Sequence, residues 1–276
     1  MTMTNRELYE YGKRRLLSEE RDNETIILME EVFGISRNDL FVHPDKDVDE
    51  SRMTRFDEYI SRRNNGEPVQ YIIGHAPFYG IEFQTDKEVL IPRFDTEVLV
   101  EEVLKNVTGD MRLADICTGS GCILLSVMAN CAGIEGIGTD ISSKAVSLAT
   151  RNNEKLGLNA KFIECDLFEG LDGLFDVIVS NPPYIETEVI NGLEREVKDF
   201  EPRLALDGGA DGLDFYKRIA KDSRKYLKKN GKLFFEIGYN EGNKVTEILR
   251  LYGFDDIKVL KDLNGLDRVV SAIFGG

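Results

Sequence analysis

Through residues 1–65, apolar side chains recur at the three- and four-residue spacing of helices that bury one face. Thr4 and Glu7 make a capping-box signature ahead of Leu8, Tyr11 and the Leu16-Leu17 pair. A second helix is expected from Asn23 to Phe33 with a stop at Gly34, and Ser36 with Asp39 marks a third start. Met53, Phe56, Tyr59 and Ile60 give another helix an apolar face that ends near Asn65-Gly66. Residues 1–65 therefore predict a small helical bundle. The period then changes. Val69-Gln-Tyr-Ile-Ile73 and the run from Phe78 to Phe83 look like strands, broken at Gly74 and Pro77, and residues 66–92 predict a connecting hairpin.

Residues 93–276 alternate short β-branched runs with helical ones, the pattern of an α/β domain around a mostly parallel sheet. Strands are expected at Arg112–Cys117, Gly136–Asp140, Lys161–Glu164, Phe175–Ser180 and Lys232–Ile237, with a closing pair near Ile257–Lys261 and Arg268–Phe274. Helices are expected over Cys122–Cys131, Ser143–Leu156, Leu213–Lys229 and Asn243–Tyr252.

Charge narrows the functional classes. With 35 basic and 50 acidic residues among 276, the formal net charge is −15, and no basic tail offsets it. Such a chain repels a polyanion at long range, which favours a protein or small-molecule partner over a nucleic acid. No apolar run reaches membrane-spanning length and the start lacks a signal-like apolar region, so a cytoplasmic protein with no membrane partner is expected. The four cysteines have no Cys-x-x-Cys spacing and only two histidines occur, which argues against a metal site.

The most informative segment is Asn181-Pro-Pro-Tyr184, directly after the expected strand Phe175–Ser180. Two prolines stop the ladder because neither has a backbone N–H, and Asn181 is left at the carboxyl end of the strand, where open α/β sheets bind ligands. The Asn181 side-chain oxygen and the Pro182 carbonyl then form a paired acceptor suited to an NH2 group. A plain turn after a strand is the competing account of Asn-Pro taken alone.

A glycine loop precedes it. Leu113-Ala-Asp-Ile-Cys-Thr-Gly-Ser-Gly121 has strand-to-helix logic, with Gly119 and Gly121 allowing close backbone approach. The carboxylate of Asp115 speaks against a phosphate cradle and for a cationic or zwitterionic ligand, and no Gly-Lys-Ser/Thr follows. Asp140, ending the second strand, suits ribose hydroxyls; an N-cap is its alternative, although Ser142 and Ser143 offer hydroxyls for that purpose. Asp166 is placed to meet an adenine amino group and Leu167 to lie against the ring, with ordinary loop residues as the competing account.

In order, these features resemble class I, Rossmann-like, S-adenosylmethionine-dependent methyltransferases of planar amino groups. Cys117 stands where that class has a glycine, and in a left-handed conformation it would cost about 1–2 kcal/mol. Glu67-Pro-Val-Gln-Tyr-Ile-Ile-Gly74, Leu90-Ile-Pro-Arg-Phe-Asp-Thr-Glu97, Glu201-Pro-Arg-Leu-Ala-Leu-Asp-Gly-Gly209 and Phe235-Glu-Ile-Gly238 narrow the resemblance. Together with Asn181 to Tyr184, they are similar to the peptide chain release factor N5-glutamine methyltransferase family, except that Phe94 replaces a proline. The resemblance implies methylation of the side-chain amide nitrogen of glutamine in the Gly-Gly-Gln motif of release factors, with the N-terminal bundle recognising substrate.

It further implies catalytic roles for Asn181, Pro182, Pro183 and Tyr184, with Tyr184 against the flat substrate amide or capping the core beneath. Cofactor contacts are implied at Asp115, Cys117, Thr118, Gly119, Ser120, Gly121, Asp140, Ile141, Asp166, Leu167 and Asn181, with no metal. A monomer is expected. The long acidic stretch Ile185 to Asp211 is expected to cover the substrate, with Glu186, Glu188, Glu194 and Glu196 attracting a basic partner or simply solvated. A ribosomal-protein glutamine substrate, a nucleic-acid amino-methyltransferase and a non-catalytic cofactor-binding module stay open as alternatives.

Overall fold

Helix caps set where the N-terminal elements begin. In the computed structural model, which describes residues 3–276, Thr4 and Glu7 close a reciprocal capping box on α1 (Asn5–Arg15). Ser36 and Asp39 do the same for α3 (Arg37–Val42), and Gly34, left-handed at φ 71°, ends α2 (Arg21–Phe33). With α4 (Met53–Asn64), these helices bury Leu8, Leu28, Met29, Phe56 and Ile60 in one core.

The run Val69–Ile73 is a helix, α5, and not the strand its composition suggests. Val69, Tyr71 and Ile72 are all buried. A short apolar run buried on several sides carries no period that separates strand from helix. Pro68 at its N-cap and Gly74 at φ 84° fix its ends.

The chain divides into two compact units, one running to His75 and including Arg195–Phe200, the other comprising 76–194 and 201–276. In the first unit the buried Arg63 donates to Glu24 at 2.8 Å and also pairs with Glu196 of the short helix α9 (Arg195–Phe200).

The strand β1 (His75–Phe78) lies in the second unit from Ala76 onward, where it forms a hairpin with β2 (Ile81–Gln84), followed by α6 (Glu97–Leu104). A seven-stranded sheet follows, of β3 (Arg112–Ile116), β4 (Glu135–Asp140), β5 (Lys161–Glu164), β6 (Phe175–Ser180), β7 (Leu227–Glu236), β8 (Phe254–Lys261) and β9 (Asp267–Phe274). Its order is β5-β4-β3-β6-β7-β9-β8; the first five strands are parallel and β9 runs antiparallel to β7 and β8. Chain direction across the sheet reverses between β3 and β6, which opens a crevice at their carboxyl ends.

Helices α7 (Cys122–Asn130), α8 (Ser143–Leu156), α10 (Asp214–Ser223) and α11 (Gly242–Leu251) join the strands. Separate apolar clusters built around Ile178, Tyr216 and Phe235 and around Leu99, Leu124 and Phe234 complete the core. The helix expected over Leu213–Lys229 stops at Ser223, because Leu227 already pairs with Phe175 across a bulge at the start of β7. Among the described residues no helix is long and apolar enough to cross a membrane.

Candidate active site

At the carboxyl ends of β3, β4, β5 and β6 lies a cavity of about 170 Å³. Cys117, Thr118, Gly119 and Ser120 line it from the loop after β3, Asp140 and Ile141 from β4, Asp166 and Leu167 from β5, and Asn181 and Pro183 from β6. Four loops distant in sequence thus converge on one space.

The glycine loop is held by its neighbours. Thr118 N–H donates to the Thr139 carbonyl at 2.9 Å, and Gly119 N–H donates to Asp140 Oδ2 at 2.9 Å. Cys117, Gly119 and Gly121 all adopt left-handed backbone, at φ 62°, 57° and 78°. Cys117 therefore carries the conformational cost expected of a side chain where glycine is easier. Burial, and then the charges of Asp140 and Asp115, push its thiol well above the usual range, so it stays protonated. Leu167, also left-handed at φ 53°, is pinned by the Thr139 hydroxyl, which donates to its carbonyl at 2.7 Å. Two non-glycine residues of one wall are thus held in a costly conformation by the surrounding hydrogen bonds.

Asp140 accepts from Gly119 N–H and from Ser142 N–H, each at 2.9 Å, while Ser142 itself caps α8. The cap role that competes for Asp140 is thereby filled by serine. Burial raises the Asp140 pKa against these two hydrogen bonds. Asp166 takes an ion pair from Arg218 of α10 at 2.6 Å.

Asn181 Nδ2 donates to Thr96 Oγ1 at 3.4 Å, leaving Oδ1 as the acceptor that Asn181 offers the cavity.

Asp115, Gly121, Pro182 and Tyr184 are not among the lining residues. Asp115 is fully buried behind the loop, its Oδ2 taking the Thr118 hydroxyl at 2.6 Å. Its Oδ2 thus organises the loop. Gly121 is packed close, since a Cβ there would meet Ala149, Leu125 and Phe162 at 3.1–3.2 Å. Tyr184 packs against the main apolar cluster and donates to Glu236 Oε1 at 3.4 Å, so it caps the core and does not flank the cavity.

The segment after the motif contributes Pro202, Leu204 and Ala205 to the lining. Glu196, expected to draw a partner or to lie solvated, is taken by Arg63. Phe215 and Arg218 of α10 and the stretch from Val89 to Arg93 also line the cavity without having been singled out one by one from the sequence. The amphipathic pattern of α10 places Phe215 and Arg218 one turn apart.

Residues 7–74 match the family model described as the PrmC N-terminal domain, and residues 93–197 match the methyltransferase small domain. The chain is 40% identical over 253 residues to the release factor glutamine methyltransferase of Agrobacterium fabrum, covering 89% of this chain and 88% of that one. For the release factor glutamine methyltransferase of Caulobacter vibrioides the identity is 39% over 281 aligned positions, covering 99% and 97%. Among solved structures, a methyltransferase from Pyrococcus furiosus superposes with a TM-score of 0.53 at 17% identity, over 83% of this chain and 100% of that one; that likeness concerns the fold alone. Identity of this level across nearly the full length of both curated relatives settles kinship: the chain belongs to the release factor glutamine methyltransferase family.

Proposed function

We propose that the protein transfers a methyl group from S-adenosylmethionine to the side-chain nitrogen, N5, of the glutamine in the Gly-Gly-Gln motif of peptide chain release factors. The observation that carries this reading is Asn181, whose NH2 is held by Thr96 while its oxygen is left for the cavity that the glycine loop also lines.

The lining suits such a cofactor. Both arginines of the wall are already paired, Arg93 with Glu201 and Arg218 with Asp166. No lysine lines the cavity, so a polyphosphate would meet carboxylates instead of free cations. A zwitterion with a flat ring fits better: Asp140 would hold ribose hydroxyls, Asp166 the adenine amino group, and Ile141, Leu167 and Phe215 supply apolar walls.

When bound, S-adenosylmethionine supplies a methyl carbon carried on a positively charged sulfur. The residues of the chain then have one task. An amide nitrogen is a poor nucleophile because its lone pair is delocalised into the carbonyl. Asn181 Oδ1 would accept one N–H of the substrate amide, turning the lone pair toward the methyl carbon. Holding the reactants in line can supply up to about 7–11 kcal/mol of the barrier. The acidic balance of −15 is in keeping with a protein substrate and not a nucleic acid.

Mass spectrometry of a release factor incubated with the protein and cofactor tests the reading. One added methyl group on the glutamine of the Gly-Gly-Gln peptide is expected. An unmodified glutamine, with cofactor demonstrably bound, would overturn it.

A further inference from the structure

We propose that Arg218 determines which nucleobase the cavity accepts: by holding Asp166 it selects a purine with a 6-amino group against one with a 6-oxo group. The proposal rests on the reading of the cavity as an S-adenosylmethionine site with Asp166 at its adenine end.

Two elements build that end. After β5 the chain turns at once: Glu169 N–H donates to the Asp166 carbonyl at 3.2 Å, and the Thr139 hydroxyl donates to the Leu167 carbonyl at 2.7 Å. The second element, α10, is anchored by Tyr216, which is fully buried and whose hydroxyl donates to the Glu236 carbonyl at 3.0 Å. Phe215 and Arg218, one turn apart on α10, line the cavity together with Asp166 and Leu167.

Arg218 joins the two elements. Its Nη2 donates to Asp166 Oδ2 at 2.6 Å, and its guanidinium carbon stands 5.8 Å from the centre of the Phe215 ring. The Asp166 side chain is 37% exposed and that of Arg218 48%, so the pair adds little to the stability of the fold. What it does set is the orientation of a carboxylate that lines the cavity.

That orientation matters to a base. An ionised carboxylate offers acceptors only, so it receives an N–H of a 6-amino group and repels a 6-oxo oxygen. At this exposure an untied carboxylate turns freely toward water, and the distinction weakens. With Oδ2 fixed by the planar guanidinium, Oδ1 is left to accept from the base. Arg218 thus acts on the base through Asp166.

The test uses the full chain and needs no release factor. S-adenosylhomocysteine and S-inosylhomocysteine, which differ by a 6-amino against a 6-oxo group, are titrated calorimetrically. The unaltered chain should bind the first about 10- to 100-fold more tightly, as one charge-assisted hydrogen bond allows. D166N, whose side chain can present either an oxygen or an NH2, should bring the two within about twofold. R218M keeps an apolar stem beside Phe215 and should lower the preference by about two- to fivefold. In the D166N background, R218M should leave the ratio of the two affinities within about 1.5-fold. Thermal unfolding checks that each variant folds, and R218Q replaces R218M should the latter not fold.

A merely structural arginine would weaken both compounds equally, and an unchanged ratio in R218M would overturn the proposal. So would an R218M that weakens S-inosylhomocysteine the more, or one that changes the ratio as strongly without Asp166 as with it. An unchanged ratio in D166N would remove Asp166 from the adenine end and the proposal with it. Failure of S-adenosylhomocysteine to bind at all would overturn the cofactor reading on which both depend. A release factor left unmethylated, with the ratios as expected, would overturn the substrate reading alone and leave the role of Arg218 standing.

Discussion

Asp140 accepts the backbone N–H of Gly119 at 2.9 Å, which fastens the end of β4 to the glycine loop that follows β3. The same carboxylate takes the Ser142 N–H at 2.9 Å, so one side chain orders both the loop and the entry to α8. If it also receives hydroxyls of the cofactor, its removal strips a charged hydrogen bond worth about 1.5–3 kcal/mol. Asp140→Ala is therefore expected to weaken S-adenosylmethionine binding by about 10- to 100-fold in calorimetric titration. An unchanged dissociation constant would confine Asp140 to a structural role.

Asp115 makes stability depend on pH. It is fully buried, and burial pushes its pKa from 3.8 up to about 7, although the Thr118 hydrogen bond pulls the other way. The folded chain holds this proton more tightly than the unfolded chain does. The contribution of Asp115 is thus complete below pH 3.8 and is lost as pH rises toward 7, beyond which the buried charge is a constant burden. Asp115→Asn removes the titration and keeps an acceptor for Thr118. From pH 5 to pH 8, stability of the variant relative to the unaltered chain should rise by about 2–3 kcal/mol in urea unfolding. Parallel curves for the two proteins would exclude Asp115 as the source.

Much of this architecture can be read from the chain because β-branched runs and capping residues are local signals. Phe175–Ser180, Lys161–Glu164 and Ser143–Leu156 form the elements that their patterns predict, with the same ends. Val69–Ile73 is misread because its burial on several sides erases the period. The site divides in the same way. Cys117, Gly119, Asp140, Leu167 and Asn181 reach the cavity because each ends or follows a strand, as the motif logic requires. Tyr184 and Asp115, chosen on the same logic, face the core and the back of the loop. Glu236 and Thr96 come to the motif only through the pairing of β6 with β7 and the packing of the segment before α6. Both stand in stretches that carry the family resemblance, yet no local periodicity announces that meeting.

Gly208 gives the Asp-Gly-Gly stretch a physical purpose. Its N–H donates to the Ile185 carbonyl at 2.8 Å, and its Cα lies so close to the motif that a Cβ would meet the Tyr184 Cα at 2.7 Å and the Gly212 carbonyl oxygen at 2.9 Å. These are backbone atoms and cannot rotate aside. Gly208→Ala is expected to cost about 1–3 kcal/mol of stability by overpacking. The strain falls on the motif, so methyl transfer should drop while cofactor affinity, measured by titration, stays within about threefold. A variant with normal turnover would mean that the turn relaxes away from Tyr184.

Arg63 anchors the helical unit through a desolvated charge pair. Its side chain is 6% exposed and meets Glu24, 9% exposed, at 2.8 Å, while Glu196, its other partner, keeps 40% exposure. Arg63→Ala would strand Glu24, whose Oε2 already has no hydrogen-bond partner. Breaking a buried pair from one side costs about 3–5 kcal/mol, far more than losing an exposed one. The variant should unfold at markedly lower urea concentration, and limited proteolysis should cut faster near Arg195–Phe200, whose helix loses its ionic tie. Replacing both buried partners with methionine removes the stranded charge and leaves only Glu196, which water can solvate. Arg63→Met with Glu24→Met should therefore regain most of the lost stability. If the double variant is as unstable as Arg63→Ala, the pair contributes through its geometry and hydrogen bonds more than through compensation of buried charge.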